Sequence, residues 1–331
     1  MMKLAALPAA TAGQPHQLPF YLAMEEWLAA SGSGDWFVMW QVGPTVIFGR
    51  NQVIDAEVNV DFCRSRGIEF YRRKSGGGAV YADWQNIMLA RITDSDNVER
   101  TFAEFCSLVA GALQSMGLPA EVSGRNDIAV DRRKISGNAF MLLPGGRAII
   151  HGTLLFDVDP EAMEGALTPS AEKLAAKGVA SVRSHVTTIK EHLPHITIEQ
   201  LKQHLVKALT DGTTTLTDGQ VAEIERIAAP YYEHSWIYDG RKPGHSRRRR
   251  IEGVGEFAVE IDLAPDGTIA AIDLRGDYMP LGDIAKTLIE PLLGTRPTRR
   301  DLENALRDTD ASAVISGLST ADYISLLAPR Q

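Results

Sequence analysis

Three consecutive glycines, Gly76, Gly77 and Gly78, interrupt the run RRKSGGGAVYAD, and such a run is a poor way to build a core. Without a Cβ, each residue enters backbone regions closed to others, so successive N–H groups can approach an anion and point at it together. The preceding Arg72 and Arg73 add fixed charge and forked donors suited to phosphate or carboxylate. Neither the G-x-x-x-x-G-K-[ST] pattern of a Walker loop nor the G-x-G-x-x-G dinucleotide fingerprint is present. The bland alternative is a flexible turn beside a structural ion pair.

With 331 residues the chain has room for two domains, or for one large domain with an appendage. Hydrophobic residues at 44% and charged residues at 23% give the balance of a soluble globular protein. A net charge of -8 argues against sequence-independent binding to nucleic acid, which needs surplus Lys and Arg to displace counterions. Cys63 and Cys106, the only cysteines, lie in segments that read as helical, so no disulfide framework is implied and a reducing compartment is expected. The opening MMKLAALPAATAGQP is broken by Pro8 and falls short of a secretory signal. No segment reaches the roughly 18 to 20 apolar residues of a membrane span, so the expectation is a cytoplasmic protein with no membrane partner.

The spacing of Phe20, Met24, Trp27 and Leu28 predicts an amphipathic helix over 19–30, with Glu25 and Glu26 on its other side. WFVMWQVGPTVIFGR reads as two short strands in a hairpin around Gly43 and Pro44. A helix over 60–66, a strand IEFYRR, the glycine loop and a further strand follow, and then a helix over 101–116 that ends at Gly117. NDIAV and KISGNAF form strands joined by the charged turn Asp131, Arg132 and Arg133, and RAIIHGTLLFDV is a longer strand of the same sheet. Helical segments at 160–177, IEQLKQHLVKALT and QVAEIERIAAPYY complete this unit. The boundary is placed at the basic stretch RKPGHSRRRR, whose arginines at 247–250 read as a solvated linker or, alternatively, as a surface for an acidic partner. Beyond it come two alternating strands around Pro265, Asp266 and Gly267 and a mostly helical tail.

Three more windows carry candidate chemistry. In SGRNDIAVDRRKISGNAF, Lys134 precedes the small residues Ser136 and Gly137, and an ammonium there could neutralise charge that builds as a carboxylate attacks a phosphate. A solvated hairpin lysine is the bland reading. Asp127 could orient Lys134 or hold a metal, and otherwise is a turn residue. In RAIIHGTLLFDVD, His151 and Gly152 break an apolar strand; His151 is either a buried, hydrogen-bonded histidine or faces substrate. In KLAAKGVASVRSHV, Lys173, Lys177, Gly178 and Arg183 suit a mobile loop closing over an anion, or a plain helix C-terminus.

Taken in order, RRKSGGGAVYAD, SGRNDIAV, RRKISGNAF, HGTLLFDVD and KLAAKGVASVRSHVT closely resemble the lipoate-protein ligase A family, over roughly residues 15 to 195. The resemblance implies an α+β fold: a large biotin/lipoate-ligase-like domain with mixed β-sheets and surrounding helices over 1–243, plus a small C-terminal α+β domain over 250–331. It implies a two-step reaction with ATP and Mg²⁺, in which lipoate or octanoate becomes an acyl-adenylate and the ε-amine of an acceptor lysine displaces AMP. The acceptors implied are lipoyl domains of 2-oxoacid dehydrogenase complexes or the glycine cleavage H protein. Arg73, Gly78, Ala79, Val80 and Tyr81 match the family's ATP-binding residues, and Lys134 matches its lysine that touches both ATP and lipoate. Arg72, Ser75, Gly76, Gly77, Asp127, Ser136, Gly137, His151 and Gly152 are expected around the substrate, with Asp127 as a candidate metal ligand. Lys173, Lys177, Gly178, Val179, Ser181, Val182 and Arg183 fall in the family's adenylate-covering loop, whose closure would shield the intermediate from water.

The related octanoyl and lipoyl transferases use a cysteine and no ATP, and DVDPEAMEGALTPS, where one such branch has its cysteine, contains none. A transferase and a non-catalytic lipoate-binding protein remain the alternatives. Departures from the family pattern are Trp84 and Gln85 before Asn86, Lys74, and the lack of Asn after Gln in FGRNQV. They bear on acyl-chain specificity more than on the chemistry.

Overall fold

The computed structural model describes residues 1–32, 34–124, 126–168, 185–239 and 247–328. Its strands in chain order are β1 (Met2–Ala6), β2 (Trp36–Trp40), β3 (Thr45–Phe48), β4 (Glu69–Arg72), β5 (Val80–Ala82), β6 (Asn86–Asp94) and β7 (Glu121–Ser123). They continue with β8 (Asp127–Val130), β9 (Arg133–Leu142), β10 (Arg147–Leu155), β11 (Thr210–Thr215), β12 (Arg247–Ile251), β13 (Gly255–Leu263) and β14 (Ile269–Gly276). An eight-stranded sheet has the order β11-β1-β2-β6-β10-β9-β8-β7, and a three-stranded sheet β4-β3-β5 stands beside it. The antiparallel meander β12-β13-β14 belongs to the C-terminal unit.

Helices cover both faces of the large sheet, which is why β6 and β10 read as nearly continuous apolar runs rather than alternating ones. On one face α1 (Leu18–Ala30) packs with Val38, Ala90 and Ile149. On the other, α2 (Val98–Gln114) lays Phe102, Phe105, Val109 and Leu113 on Ile87, Leu89 and Ile150. Asn97 caps α2 by accepting from Arg100 N, and Gly117, at φ 89°, lies just past its end. The helix α3 (Ile198–Leu209) adds Leu201 and Leu205 to that layer, and α4 (Asp218–Ala228) adds Val221 and Ile224 to the first. A separate core in the C-terminal unit gathers Phe257, Leu288, Leu302 and Ile315, with Tyr323 and Leu327 from α5 (Thr320–Leu327). Among the described residues no helix is long and apolar enough to cross a membrane.

Several expectations are corrected. β2 and β3 do not form a hairpin: Gly43 and Pro44 carry the chain from the large sheet to the small one. Glu25 does not face solvent, because α1 is buried almost all round, and Glu25 is 1% exposed. The opening residues form β1, which pairs in parallel with both β2 and the polar edge strand β11. Arg247 to Arg250 are not a connector but four of the five residues of β12.

The C-terminal unit seats on the glycine loop. Gly77 N donates to Tyr278 O at 3.2 Å, Gly276 N donates to Asn51 O at 2.9 Å, and Met279 is buried in the core of the large unit. Arg275 adds a bond to Asp239 at 2.7 Å. A Cβ at Gly76 would run into Tyr278 O and stand 2.6 Å from Pro280 Cδ, so only glycine lets the two backbones meet. Gly76→Ala is therefore expected to cost about 1–3 kcal/mol, as overpacking of a close contact does. Calorimetry would register a lowered Tm, and an unchanged one would mean that the contact yields freely.

Candidate active site

The two arginines before the glycine loop do different work. Arg72, 2% exposed, donates through Nη1 to Arg50 O at 2.8 Å and Gln52 O at 2.6 Å, and through Nε to Trp236 O at 3.0 Å. Its Nη2 reaches Ile237 O at 3.0 Å, and the guanidinium lies 4.8 Å from the Phe48 ring centre. The expected substrate role is corrected: the fork staples backbone segments behind the site. Arg73 donates to Ser75 Oγ at 3.0 Å, Ile47 O at 3.0 Å, Gly76 O at 2.6 Å and Gly78 O at 2.8 Å, closing the loop on itself. Burial pulls its guanidinium down to about 10, with Asp277 opposing the shift, so it stays cationic at neutral pH.

Lys134 owes its place to the β8–β9 hairpin. Asp131 and Arg132 take φ of 50° and 63°, the left-handed pair of a two-residue turn. The register then shifts, Ala129 facing Lys134 while Ile128 faces Ser136, and such a bulge re-aims the side chains beside it. Lys134 Nζ stands 2.7 Å from Asp127 Oδ1, with both side chains 18% exposed. The lysine folds over Gly137, where any Cβ would collide with Nζ. Thr187 N donates to Lys134 O at 2.9 Å, and His185 Nε2 lies 3.8 Å from Asp127 Oδ2. Gly152 is glycine because a Cβ would collide with Asn138 Oδ1, and the Asn138 amide donates to Asn126 O at 3.1 Å and Ser136 Oγ at 3.0 Å.

His151 is both a partnered buried histidine and a wall residue. It shares hydrogen bonds with Ser75 Oγ at 2.7 Å through Nε2 and with Glu25 Oε2 at 2.7 Å through Nδ1. Glu25 was missed by the sequence reading, which placed it on the wet face of its helix; the one available signal was the lack of any other polar partner for a histidine set in an apolar strand.

These groups surround a cavity of about 310 Å³. Leu22, Trp40, Ile47 and Met88 give it an apolar wall, and Arg73, Lys134, Asp127 and Asn138 a polar one. Of the expected nucleotide residues, Gly78, Ala79 and Val80 also line it, whereas Tyr81 alternates to the opposite side of β5 and is buried with Val46 and Phe48. Gly77, Gly137, His151 and Gly152 line it too. Ser75 and Ser136 stand one layer behind, bonded to His151 and Asn138, and Gly76 meets the C-terminal unit instead. That unit adds Arg250 and Asp277 to the wall, which the sequence reading did not foresee. Lys173, Lys177, Gly178, Val179, Ser181, Val182 and Arg183 lie outside the described residues.

Lys74, a departure from the expected pattern, is held by Glu26 at 2.6 Å and by the Tyr231 ring, 5.0 Å away. At the Trp84–Gln85 departure, Asp83 rebuilds the turn by accepting from Gln85 N at 2.8 Å and Asp159 N at 3.2 Å. Cys63 and Cys106 are buried and free, and burial pushes their thiols up to about 11 and about 12. Neither lines the cavity, and neither would supply a thiolate near neutral pH. Among the described residues no cluster of three or more His, Cys, Asp or Glu could cage a metal.

The chain matches the family model for the lipoyl protein ligase A/B catalytic domain over residues 17–210 and that for the bacterial lipoate protein ligase C-terminus over 242–327. It is 33% identical over 317 residues to lipoate-protein ligase 1 of Staphylococcus aureus, covering 92% of this chain and 95% of that one. Its fold resembles that of P. falciparum LipL1 in complex with lipoate, at a TM-score of 0.75 and 19% identity, covering 98% of this chain and 97% of the other. A crystal structure of lipoate-protein ligase A bound with ATP superposes at a TM-score of 0.61 and 22% identity, over 71% of this chain and 98% of that one. The glycine loop, the Lys134 hairpin and the small unit seated on them fall within the two matched segments, and by these matches the chain belongs to the lipoate-protein ligase family.

Proposed function

We propose that this protein is an ATP-dependent lipoate-protein ligase, which activates lipoate as lipoyl-AMP and passes the lipoyl group to the lysine ε-amine of an acceptor lipoyl domain. The observation that carries the reading is the Lys134–Asp127 pair at 2.7 Å on the same cavity as the Arg73-closed glycine loop. The hydrocarbon part of the acid would lie along Leu22, Trp40, Ile47 and Met88, with its carboxylate toward Lys134. There an oxygen of the carboxylate attacks the α-phosphorus of ATP, a new P–O bond forms, and pyrophosphate leaves with the electrons of the broken one.

Lys134 Nζ, fixed by Asp127, stabilises the charge that accumulates on the transferring phosphate. Holding the two reactants in line can contribute about 7–11 kcal/mol in well-oriented cases. Mg²⁺ bound to the nucleotide would neutralise phosphate charge, a binding mode that needs only one or two protein carboxylates, and Asp127 is the candidate on this wall. In the second step the neutral acceptor amine adds to the acyl carbon, the bond from that carbon to the AMP oxygen breaks, AMP leaves with its electron pair, and the nitrogen gives up a proton so that an amide remains.

AMP release from ATP, Mg²⁺, lipoate and an apo lipoyl domain, with the mass of that domain, tests the reading. A lipoyl mass increment together with AMP is the expected result; modification without ATP would instead establish a transferase, and binding with neither product a lipoate-binding protein. Lys134→Ala should lower adenylate formation by about 10²–10³-fold, as loss of an oxyanion donor does. Wild-type pyrophosphate exchange in that variant would remove Lys134 from the chemistry. Asp127→Asn, which keeps the shape and loses the charge, should show a smaller loss in the same assay, about tenfold.

A further inference from the structure

The arginine run resolves into two faces of one strand. Side chains alternate along β12, so Arg247 and Arg249 turn toward α5, where Arg247 Nη1 donates to Ala328 O at 3.0 Å and Arg249 Nη1 to Ser325 Oγ at 2.6 Å. Arg248 and Arg250 share the other face. Arg248 is exposed, with Glu256 3.9 Å away, while Arg250 reaches the cavity.

The other two cations of the cavity wall have partners of their own. Lys134 is paired with Asp127 at 2.7 Å, and Arg73 donates to Ser75, Ile47, Gly76 and Gly78. Arg250 forms no ion pair among the described residues, and its Nη1 is buried without a hydrogen bond. Leaving a buried donor unsatisfied is costly, the more so on a charged group, so a cavity wall that holds this unpaired guanidinium favours an anion. A planar guanidinium is suited to phosphate, which it can grip through two parallel N–H groups.

We propose that Arg250 is a phosphate ligand supplied by the C-terminal domain: with ATP in the cavity, its guanidinium takes oxygens of the β- or γ-phosphate, the part that leaves as pyrophosphate. The inference rests on the ligase reading and deepens it. It makes the small domain a contributor to the adenylation step through a named side chain, and it separates the two half-reactions, since after pyrophosphate has gone Arg250 has no ligand left to hold.

The test is lipoate-dependent ATP–pyrophosphate exchange by the full chain, with ATP and lipoate varied separately, in wild type, Arg250→Ala, Arg250→Lys and Arg248→Ala. Arg250→Ala is expected to raise the KM for ATP about 10- to 100-fold, the value of one or two hydrogen bonds to a charged group. The KM for lipoate and the rate of transfer from preformed lipoyl-AMP to an apo lipoyl domain should stay at wild-type values, as should the Tm. Arg250→Lys should recover part of the ATP affinity, and Arg248→Ala should behave as wild type.

A wild-type KM for ATP in Arg250→Ala would overturn the inference and leave the ligase reading standing. So would an equal loss in both half-reactions with a lowered Tm, which would make Arg250 a structural residue. A wild-type protein that shows no exchange would overturn the ligase reading itself, and this inference with it.

Discussion

The buried guanidinium of Arg73 is the interaction on which the site depends. A charge taken out of water costs several kcal/mol unless its protons are answered. Here the answers come from Ile47 on β3, from Ser75, and from the carbonyls of Gly76 and Gly78. The same four bonds fix the glycine loop against the small sheet, and Gly77, at φ 86°, takes a left-handed conformation that favours glycine. Glycine is required for clearance: at Gly49 a Cβ would collide with Gly77 O, and at Gly76 with the backbone of the C-terminal unit. The loop is thus a place where two chain segments pass closer than side chains allow, with the charge of Arg73 holding them there.

Much of this was legible in the sequence, and the parts that were not share a cause. The helix α2 was readable because its apolar positions keep a helical period and its ends carry a cap and a glycine. The β8–β9 hairpin was readable from two short apolar runs around a charged turn. The sheet assignment of β2 and β3 was not, because Gly43 and Pro44 signal a turn without saying whether the strands they join pair with each other. For β11, TDGTTT has no apolar face, being an edge strand whose residues after Thr210 are exposed. Within the site, Arg73 and Lys134 stood out by residue type and spacing. Arg72 stood out equally, yet was misread, since the same fork that fits a phosphate also fits backbone carbonyls. Glu25 was hidden by a helix buried almost all round, where the polar face that amphipathic reasoning looks for is nearly absent.

The chain from Glu25 through His151 to Ser75 links these observations to the apolar end of the cavity. Each nitrogen of His151 has a partner, so the ring is fixed in orientation although it breaks an apolar strand. Ser75 in turn meets Arg73, so a continuous run of hydrogen bonds passes from the core of α1 to the glycine loop. Hydrogen bonds in such a chain polarise one another and hold its members in place, although the second oxygen of Glu25, Oε1, is buried without a hydrogen bond. The wall thus sets polar groups next to Leu22, Met88 and Trp40.

Arg73 also ties the loop to the C-terminal unit. Its stabilising carboxylate, Asp277, and the acceptor of the Gly77 amide, Tyr278 O, both come from the segment that follows β14. Lifting the small unit away would therefore leave Arg73 without that counter-charge and Gly77 without its partner, while an anion bound at the loop would supply both. Loop conformation, anion occupancy and domain seating are consequently linked free energies: whatever stabilises one arrangement of the loop biases the seating of the domain by the same amount.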